Sequence, residues 1–460
     1  MLDQIKHTSP GLDNLPHWFL QLGAPSLSLP LSHLFNLSLE QAIVPTQWKS
    51  SIITPVPKVD PPLTCSDYRP ISITPILARL MEKSIVKKFL YPTLTHPDYS
   101  HLFQDQFAFR PTGSTTAALI YLLHTITELL QTHDYVHLIA LDFSKAFDSV
   151  RHHSLISKLA NFTLPDNLHN WIVNNLSGRQ HQTKLDGKVS PMLPINASII
   201  QGSAIGPVEY VLTASDLHPT SPTNLLCKYA DDTYLLVPAS NSPSIPQEIQ
   251  HITDWATANN LKLNNLKSQE MIVHIARRRK HFPYPAAVPD IQRVEKMNIL
   301  GITVSDTLTF HHHISTLIGK SASSFYALKT IRAHGLTGNA LWDATRATLL
   351  SQLLYASPAW WGFLKADERK RLQSIINKAE RYGFLPRSFC TLDQLIQDSD
   401  EKLFFLSRYN PNHVLHFLLP QPKNTSYNLR QRSHNLTLPA DINVVIKQNF
   451  IYRMLFTDIY

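Results

Sequence analysis

Asn224-Leu-Leu-Cys-Lys-Tyr-Ala-Asp-Asp-Thr-Tyr-Leu-Leu-Val237 consists of two short apolar runs separated by Ala230-Asp231-Asp232. Runs of strand length around so short a break predict a β-hairpin with the acids at its tip. Adjacent acids in a turn are common, so the pair alone decides nothing. The surroundings carry more. Flanked by Leu225, Leu226, Leu235, Leu236 and Val237, the two carboxylates repel each other at the edge of an apolar sheet, which is costly unless a cation compensates. Upstream, His137-Leu-Ile-Ala-Leu-Asp-Phe143 alternates little, as a strand buried on both faces does, and it ends on Asp142. If the two strand elements are neighbours, three carboxylates converge, and oxygen-only ligation selects Mg²⁺ or Mn²⁺ over zinc.

Outward from these strands the pattern is mixed α+β. Seven prolines from Pro10 to Pro57 imply short elements, with a helix between Ser32 and Ala42 and a strand over Ser51-Ile-Ile-Thr54. Ile76 to Leu90 has helical apolar spacing with Lys83, Lys87 and Lys88 on the other face, and Ser114 or Thr115 can cap a helix running to Leu130. Helical patterns recur over His153 to Ala160 and Asn167 to Leu176, and a Pro/Ser-rich break at Pro238 to Pro246 precedes a helix through Trp255. Strands follow near Glu270 to Ile275 and Asn298 to Val304. His312 to about Arg381 reads as helix, and the tail from Pro386 gives weak, mixed signals. Consecutive His311, His312 and His313 cannot face one ion from a helix, so they read as an exposed cap. Arg277-Arg-Arg-Lys280 is either a solvated turn or a phosphate-contacting or nuclear-import segment.

Composition excludes several classes. With 43% hydrophobic and 17% charged residues in a 460-residue chain, there is too much apolar material for disorder. Thirteen glycines against 32 prolines argue against a glycine-cradled nucleotide fold. A charge of +8 and a pI near 9.2 suit a polyanionic partner. Cys65, Cys227 and Cys390 are odd in number and too scattered for a disulfide framework or a C-x-x-C metal site, which points to a reducing compartment. No run of roughly 18 apolar residues occurs, and Asp3, Lys6 and His7 occupy what would be a secretory core, so an intracellular protein with no membrane partner is expected.

Over roughly Gly11 to Leu364 the chain carries, in order, Pro10-Gly-Leu-Asp-Asn-Leu-Pro16, Val44-Pro-Thr-Gln-Trp-Lys49, Ile53-Thr-Pro-Val-Pro-Lys58, Asp67-Tyr-Arg-Pro-Ile-Ser72 and Gln106-Phe-Ala-Phe-Arg-Pro-Thr-Gly-Ser-Thr115. The series continues through Leu141-Asp-Phe-Ser-Lys-Ala-Phe-Asp148, Gln201-Gly-Ser-Ala-Ile-Gly-Pro207, Tyr229-Ala-Asp-Asp232, Leu263-Asn-Asn-Leu-Lys-Ser268 and Leu300-Gly-Ile302. This order of motifs resembles the reverse transcriptases of non-LTR (LINE-type) retrotransposons, in particular the jockey-like group. It implies a right-hand polymerase with fingers, an antiparallel-sheet palm and a helical thumb. The corresponding bounds are 1–37 for the lead-in, 38–305 for fingers and palm, 306–385 for the thumb and 386–460 for an extension of unknown role.

The resemblance further implies an RNA-directed DNA polymerase that extends a DNA 3′-hydroxyl on an RNA template with dNTPs and Mg²⁺ or Mn²⁺, in the nucleus or the cytoplasm. Asp142, Asp231 and Asp232 would be catalytic, and together with the Phe143 carbonyl would hold the metals. Lys58 and Arg69 would grip the triphosphate, Phe147 would face the ribose 2′ position, and Gln201 would meet the nascent pair. Arg110, Gly202, Lys267 and Gly301 would serve template and primer. Ile200 stands where the family carries proline, Ala108 where it carries glycine, and Glu209 and Thr213 where it carries apolar residues. An upstream apurinic-type endonuclease and a downstream C-x₂-C-x₄-H-x₄-C knuckle are both missing from the sequence. The expectation is therefore no nicking by this chain, and an inactive or truncated relic that binds nucleic acid without polymerising is the alternative.

Overall fold

The computed structural model of the chain describes residues 1–423, 434–440 and 442–457. They form two compact units. One comprises Met1–Gln104, Phe143–Leu217 and Gln250–Leu263, the other Asp105–Asp142, His218–Ile249 and the residues from Asn264 onward.

In the first unit, strand Ser50–Pro57 lies between Tyr68–Ile73, antiparallel, and Gln180–Leu185, parallel. Pro55 pairs with Pro70 at a non-hydrogen-bonded position, where neither ring removes an N–H from this ladder, and beyond them the Lys58 N–H donates to the Asp67 carbonyl at 2.7 Å. The N-terminal helix runs Ala24–Glu40, starting well before the expected Ser32. Pro25 falls in its first turn, where a missing N–H leaves no bond unmade, and Pro30 is carried inside rather than ending it. Helix Ile76–Ile85 forms where its apolar spacing predicts, continues through a π turn over Val86–Leu90, and resumes as Tyr91–Thr95. Ile76, Met81 and Ile85 are buried, and so is Glu82. Helices His152–Leu159 and Asp166–Leu176 also match expectation.

The second unit is built on a sheet in the order Gln292–Arg293, Gln269–His274, Tyr135–Leu141, Asp232–Pro238, Leu225–Tyr229, all antiparallel except the first pair. Tyr135–Leu141 is the central strand, which explains its unbroken apolar run: Val136, Leu138 and Ile139 are all fully buried. His137, at 1% exposure, survives there because its Nδ1 meets Glu270 at 2.7 Å. Burial alone would raise the Glu270 pKa, but hydrogen bonds from His137, Arg293 and the Val288 N–H outweigh it and lower it. Helix Thr115–Thr132 packs on this sheet; Ser114 caps it by accepting the Ala117 N–H at 3.1 Å. At its other end Arg278 donates to the carbonyls of Leu130 and His133 at 3.0 and 3.3 Å, so this member of the basic run closes a helix terminus. The side chains of residues 279–281 lie outside the described residues.

Asn298 to Val304 is not one strand but the hairpin Lys296–Ile299 and Ile302–Ser305. Its two turn residues, Leu300 and Gly301, have φ of 48° and 86°, the positive values that a type I′ turn demands of both positions. Helices His311–Ala333, Gly338–Thr345 and Ala366–Arg381 follow as expected. His313 departs from the exposed cap: it is 5% exposed, sits 5.1 Å from the Trp360 ring, and burial pushes its pKa down to about 4. His311 and His312 do remain exposed. The tail forms a regular helix, Leu392–Tyr409, opened by a reciprocal Thr391/Gln394 capping box, and a shorter one, Phe450–Leu455. Leu392, Ile396, Phe404, Phe450 and Leu455 join the same apolar core as Val136 and Leu138. All three cysteines are free thiols.

Candidate active site

The register of the central strand against Asp232–Pro238 runs to Leu141↔Thr233, and one step beyond that pair lie Asp142 and Asp232. The strand elements are therefore neighbours. The hairpin closes on the pair Tyr229↔Asp232 with only Ala230 and Asp231 between. Ala230 takes φ 57°, a left-handed conformation that an alanine adopts at a cost of about 1 kcal/mol or more. Its N–H and that of Ala108 both point at the Gln106 side-chain oxygen, at 3.2 and 3.0 Å, which holds the tip from below. Asp142 is fixed through its backbone: its N–H donates to Ser268 Oγ at 3.2 Å and its carbonyl accepts the Asn264 N–H at 2.8 Å. Ser268, the last residue of the Leu263-to-Ser268 motif, was not singled out in the sequence, whereas Lys267 beside it is exposed.

The three acids feel one another. Burial first, then the Asp142 charge, raises the Asp231 pKa. Burial, then Asp231, then Asp142 pushes Asp232 up to about 6, although its side chain still reaches solvent. A divalent cation would relieve that repulsion, and three carboxylates are the hard donors it takes. Among the described residues, however, no group of three His, Cys, Asp or Glu side chains stands close enough to hold a metal ion. The donor set fits the ion chemically, but the side chains are not drawn together into a cage. Phe143 pairs with Leu263 in an isolated antiparallel bridge, and its ring lies 6.0 Å from Trp255.

The remaining nucleotide candidates belong to the first unit. Lys58 and Arg69 lie at the loop end of the hairpin, where Val56 pairs with Arg69, and both side chains are exposed. Lys58 Nζ donates to the Ser66 carbonyl at 2.9 Å. Asp67 accepts the N–H groups of Leu63 and Thr64 at 2.9 and 2.8 Å and so shapes the loop between the strands. Gln201 Nε2 donates to Asp148 Oδ1 at 2.8 Å, and Gln201 O accepts the Ser72 N–H at 2.7 Å. Burial raises the Asp148 pKa, against Gln201, Lys145 and Lys58. The structure thus brings Lys58 and Gln201 toward one acid, Asp148, the last residue of the Leu141-to-Asp148 motif, to which the motif alone assigns no role. Gly202 has φ 125°, and a Cβ there would lie 2.2 Å from the Ser72 carbonyl oxygen, so no other residue fits. The Phe147 ring stacks on Tyr210, centroids 4.5 Å apart and planes 17° from parallel.

Two further candidates lie in the second unit. Arg110 Nη1 donates to the Gln106 carbonyl at 3.1 Å, and burial, against the pull of Asp105, lowers its pKa to about 10. Gly301 faces Tyr355, whose hydroxyl donates to the Leu300 carbonyl at 2.9 Å and locks the turn.

A protein-family model described as reverse transcriptase (RNA-dependent DNA polymerase) matches residues 56–304. The RNA-directed DNA polymerase from the mobile element jockey of Drosophila melanogaster is 29% identical over 67% of this chain and 34% of its own length. The probable RNA-directed DNA polymerase from transposon X-element of the same organism is 25% identical over 82% of this chain and 42% of its own. This chain therefore spans between a third and a half of the length of these relatives. Among solved structures, an apo telomerase from Candida tropicalis aligns with a TM-score of 0.43 and 12% identity, covering 85% of this chain and 68% of that one.

Proposed function

The chain belongs to the reverse transcriptase (RNA-dependent DNA polymerase) family, and from that premise we propose that it is an RNA-directed DNA polymerase of a non-LTR retrotransposon, extending a DNA 3′-hydroxyl on an RNA template. The observation that supports this most is the pairing of the central strand with the acidic hairpin, which sets Asp142 beside Asp232 and couples both to Asp231. Asp142, Asp231 and Asp232, with the Phe143 carbonyl, would hold two Mg²⁺ or Mn²⁺ ions. Bound ions of this kind lower the pKa of an attacking hydroxyl and neutralise a leaving pyrophosphate.

The chain's own residues would do the rest. Lys58 would meet the triphosphate as a point charge and Arg69 as a planar fork. Asp148, by accepting one amide hydrogen of Gln201, leaves that side chain's oxygen and second N–H to face a base pair. Gly202 gives the backbone a close approach that a Cβ would block. Phe147, held flat by Tyr210, would occupy the space a ribose 2′-hydroxyl needs. Arg110, Lys267 and Gly301 would support template and primer, and target-primed synthesis would place the work in the nucleus. Among the described residues no helix is long and apolar enough to cross a membrane.

The test is single-nucleotide extension of a DNA primer on an RNA template. Asp142→Asn should bind template–primer as wild type does while incorporating at least about a hundredfold less. Equal incorporation by the two proteins would remove the metal-site reading.

A further inference from the structure

Glu82 is 2% exposed on helix Ile76–Ile85, surrounded by the apolar residues that bury that helix. An ionised carboxylate in such a place is expensive unless its oxygens are used. They are used by a single target. The Ala204 N–H donates to Glu82 Oε2 at 2.6 Å, and the Ile205 N–H adds a second bond. Both amides belong to the loop that starts at Gln201-Gly202 and leads into helix Gly206–Thr213. Glu82 thus serves, from another helix, as the anionic cap of that N-terminus.

Two buried groups complete the cluster. Arg179 is 1% exposed; its Nη1 donates to the Asn175 carbonyl and side-chain oxygen at 3.0 Å each, and its Nη2 to the Trp48 carbonyl at 3.4 Å. Burial raises the Glu82 pKa, and the positive charge of Arg179, so anchored, is the largest of the influences that oppose it. Glu209, one turn into helix Gly206–Thr213, is 3% exposed, with its Oε1 lacking a hydrogen-bond partner. The loop is held on its other sides by the Ser72 N–H on Gln201 O and by Asp148 on the Gln201 amide.

We propose that Glu82 is a positioning residue for polymerisation: its carboxylate fixes the Ala204 and Ile205 amides, and through them the Gln201-Gly202 backbone that would meet the nascent base pair, while Arg179 holds the carboxylate's charge in the interior. A neutral apolar side chain would fill the same volume but leave two buried N–H groups unpaired. Glu82 itself touches no substrate. The proposal rests on the polymerase reading, so the test has one arm that needs no activity.

In that arm, hydrogen exchange is followed at residues 203–206 of the full-length protein for wild type, Glu82→Gln and Glu82→Ala. The second arm measures KM for dNTP and kcat separately in primer extension. The isosteric Gln keeps one acceptor, so exchange should quicken about tenfold in Glu82→Gln and more in Glu82→Ala, with KM rising in the same order and kcat within about threefold. A general loss of folding would instead lower kcat through the active fraction and leave KM alone. Wild-type exchange in folded Glu82→Gln, or quickened exchange with an unchanged KM, overturns the proposal. If wild type extends nothing, the polymerase reading fails, and the exchange arm alone decides whether Glu82 holds the loop.

Discussion

Glu209 stands in a helix whose other positions carry Val208, Tyr210, Val211 and Leu212, and burial, then Glu82, lifts its pKa to about 8 against Arg179. A folded pKa above the unfolded value of 4.5 means that the folded chain keeps a proton the unfolded chain gives up. The stability this confers is complete below pH 4.5 and is lost as pH rises to about 8, at roughly 1.4 kcal/mol per unit. Thermal unfolding followed across that window should show wild type falling more steeply than Glu209→Gln, with the two running parallel above it. Parallel behaviour throughout would mean that Glu209 is not buried as described. Glu82, whose pKa burial also raises, and His152, whose pKa burial lowers, add pH dependence of their own in this window, while Arg79, Arg179 and Lys158 are the cations nearby; all five are present in both proteins, so the comparison isolates Glu209. Phe147 offers a second test at this scale. Its ring is wedged against Tyr210, and crowding it with a 2′-hydroxyl should cost about 1–3 kcal/mol. Phe147→Ala should then raise the relative use of rNTPs over dNTPs by roughly ten- to a hundredfold. An unchanged ratio in a folded, active variant would show that another side chain guards the sugar.

Among the elements, the acidic hairpin was legible because both of its strands are buried and read as plain apolar runs, and because a two-residue turn leaves no room for another arrangement. The hairpin at Leu300-Gly301 was not legible from its residues alone, although the resemblance implies a tight turn at Gly301. A leucine at φ 48° gives no turn signal, and Ile299 and Ile302 read as one continuous strand. Prolines misled at the N-terminus, where Pro25 sits at a helix start and Pro30 inside it. The helix at Leu392–Tyr409 could have been read from Thr391 and Gln394, whose spacing is a capping box. Asp148, Glu82 and Arg179 could not have been, because each acts on a residue far along the chain: 53 positions separate Asp148 from Gln201, and 122 separate Glu82 from Ala204. Gly202 belongs to this scale too, since its role is to let one loop touch the strand Tyr68–Ile73. Gly202→Ala should lower stability by roughly 2–4 kcal/mol, combining positive φ with a clash against Ser72 O, and should broaden or lower the thermal transition. A transition identical to wild type would place that backbone further from Ser72 than described.

For the whole molecule, the described residues after 385 are part of the folded body of the second unit, not an appendage. Their helices share a core with the sheet, Asn449 Nδ2 donates to Thr127 Oγ1 at 2.9 Å, and Arg453 pairs with Asp400 while donating to the Pro358 carbonyl at 3.1 Å. Fully burying each large apolar side chain is worth about 1.5–3 kcal/mol, so Leu392, Ile396, Phe404, Phe450 and Leu455 together rival the 5–15 kcal/mol of net stability of a typical domain. A chain ended at residue 386 should therefore lose cooperative unfolding, and a sharp transition at the wild-type temperature would show that the tail is dispensable. The central question for the molecule is whether the coupled acids support synthesis. Extension of a DNA primer on an RNA template with Mg²⁺ and dNTPs, compared between wild type and Asp231→Asn, asks it directly. Wild type should add nucleotides in the presence of the metal while Asp231→Asn adds essentially none; incorporation by wild type no greater than that of the variant would contradict the assignment of this chain as a polymerase.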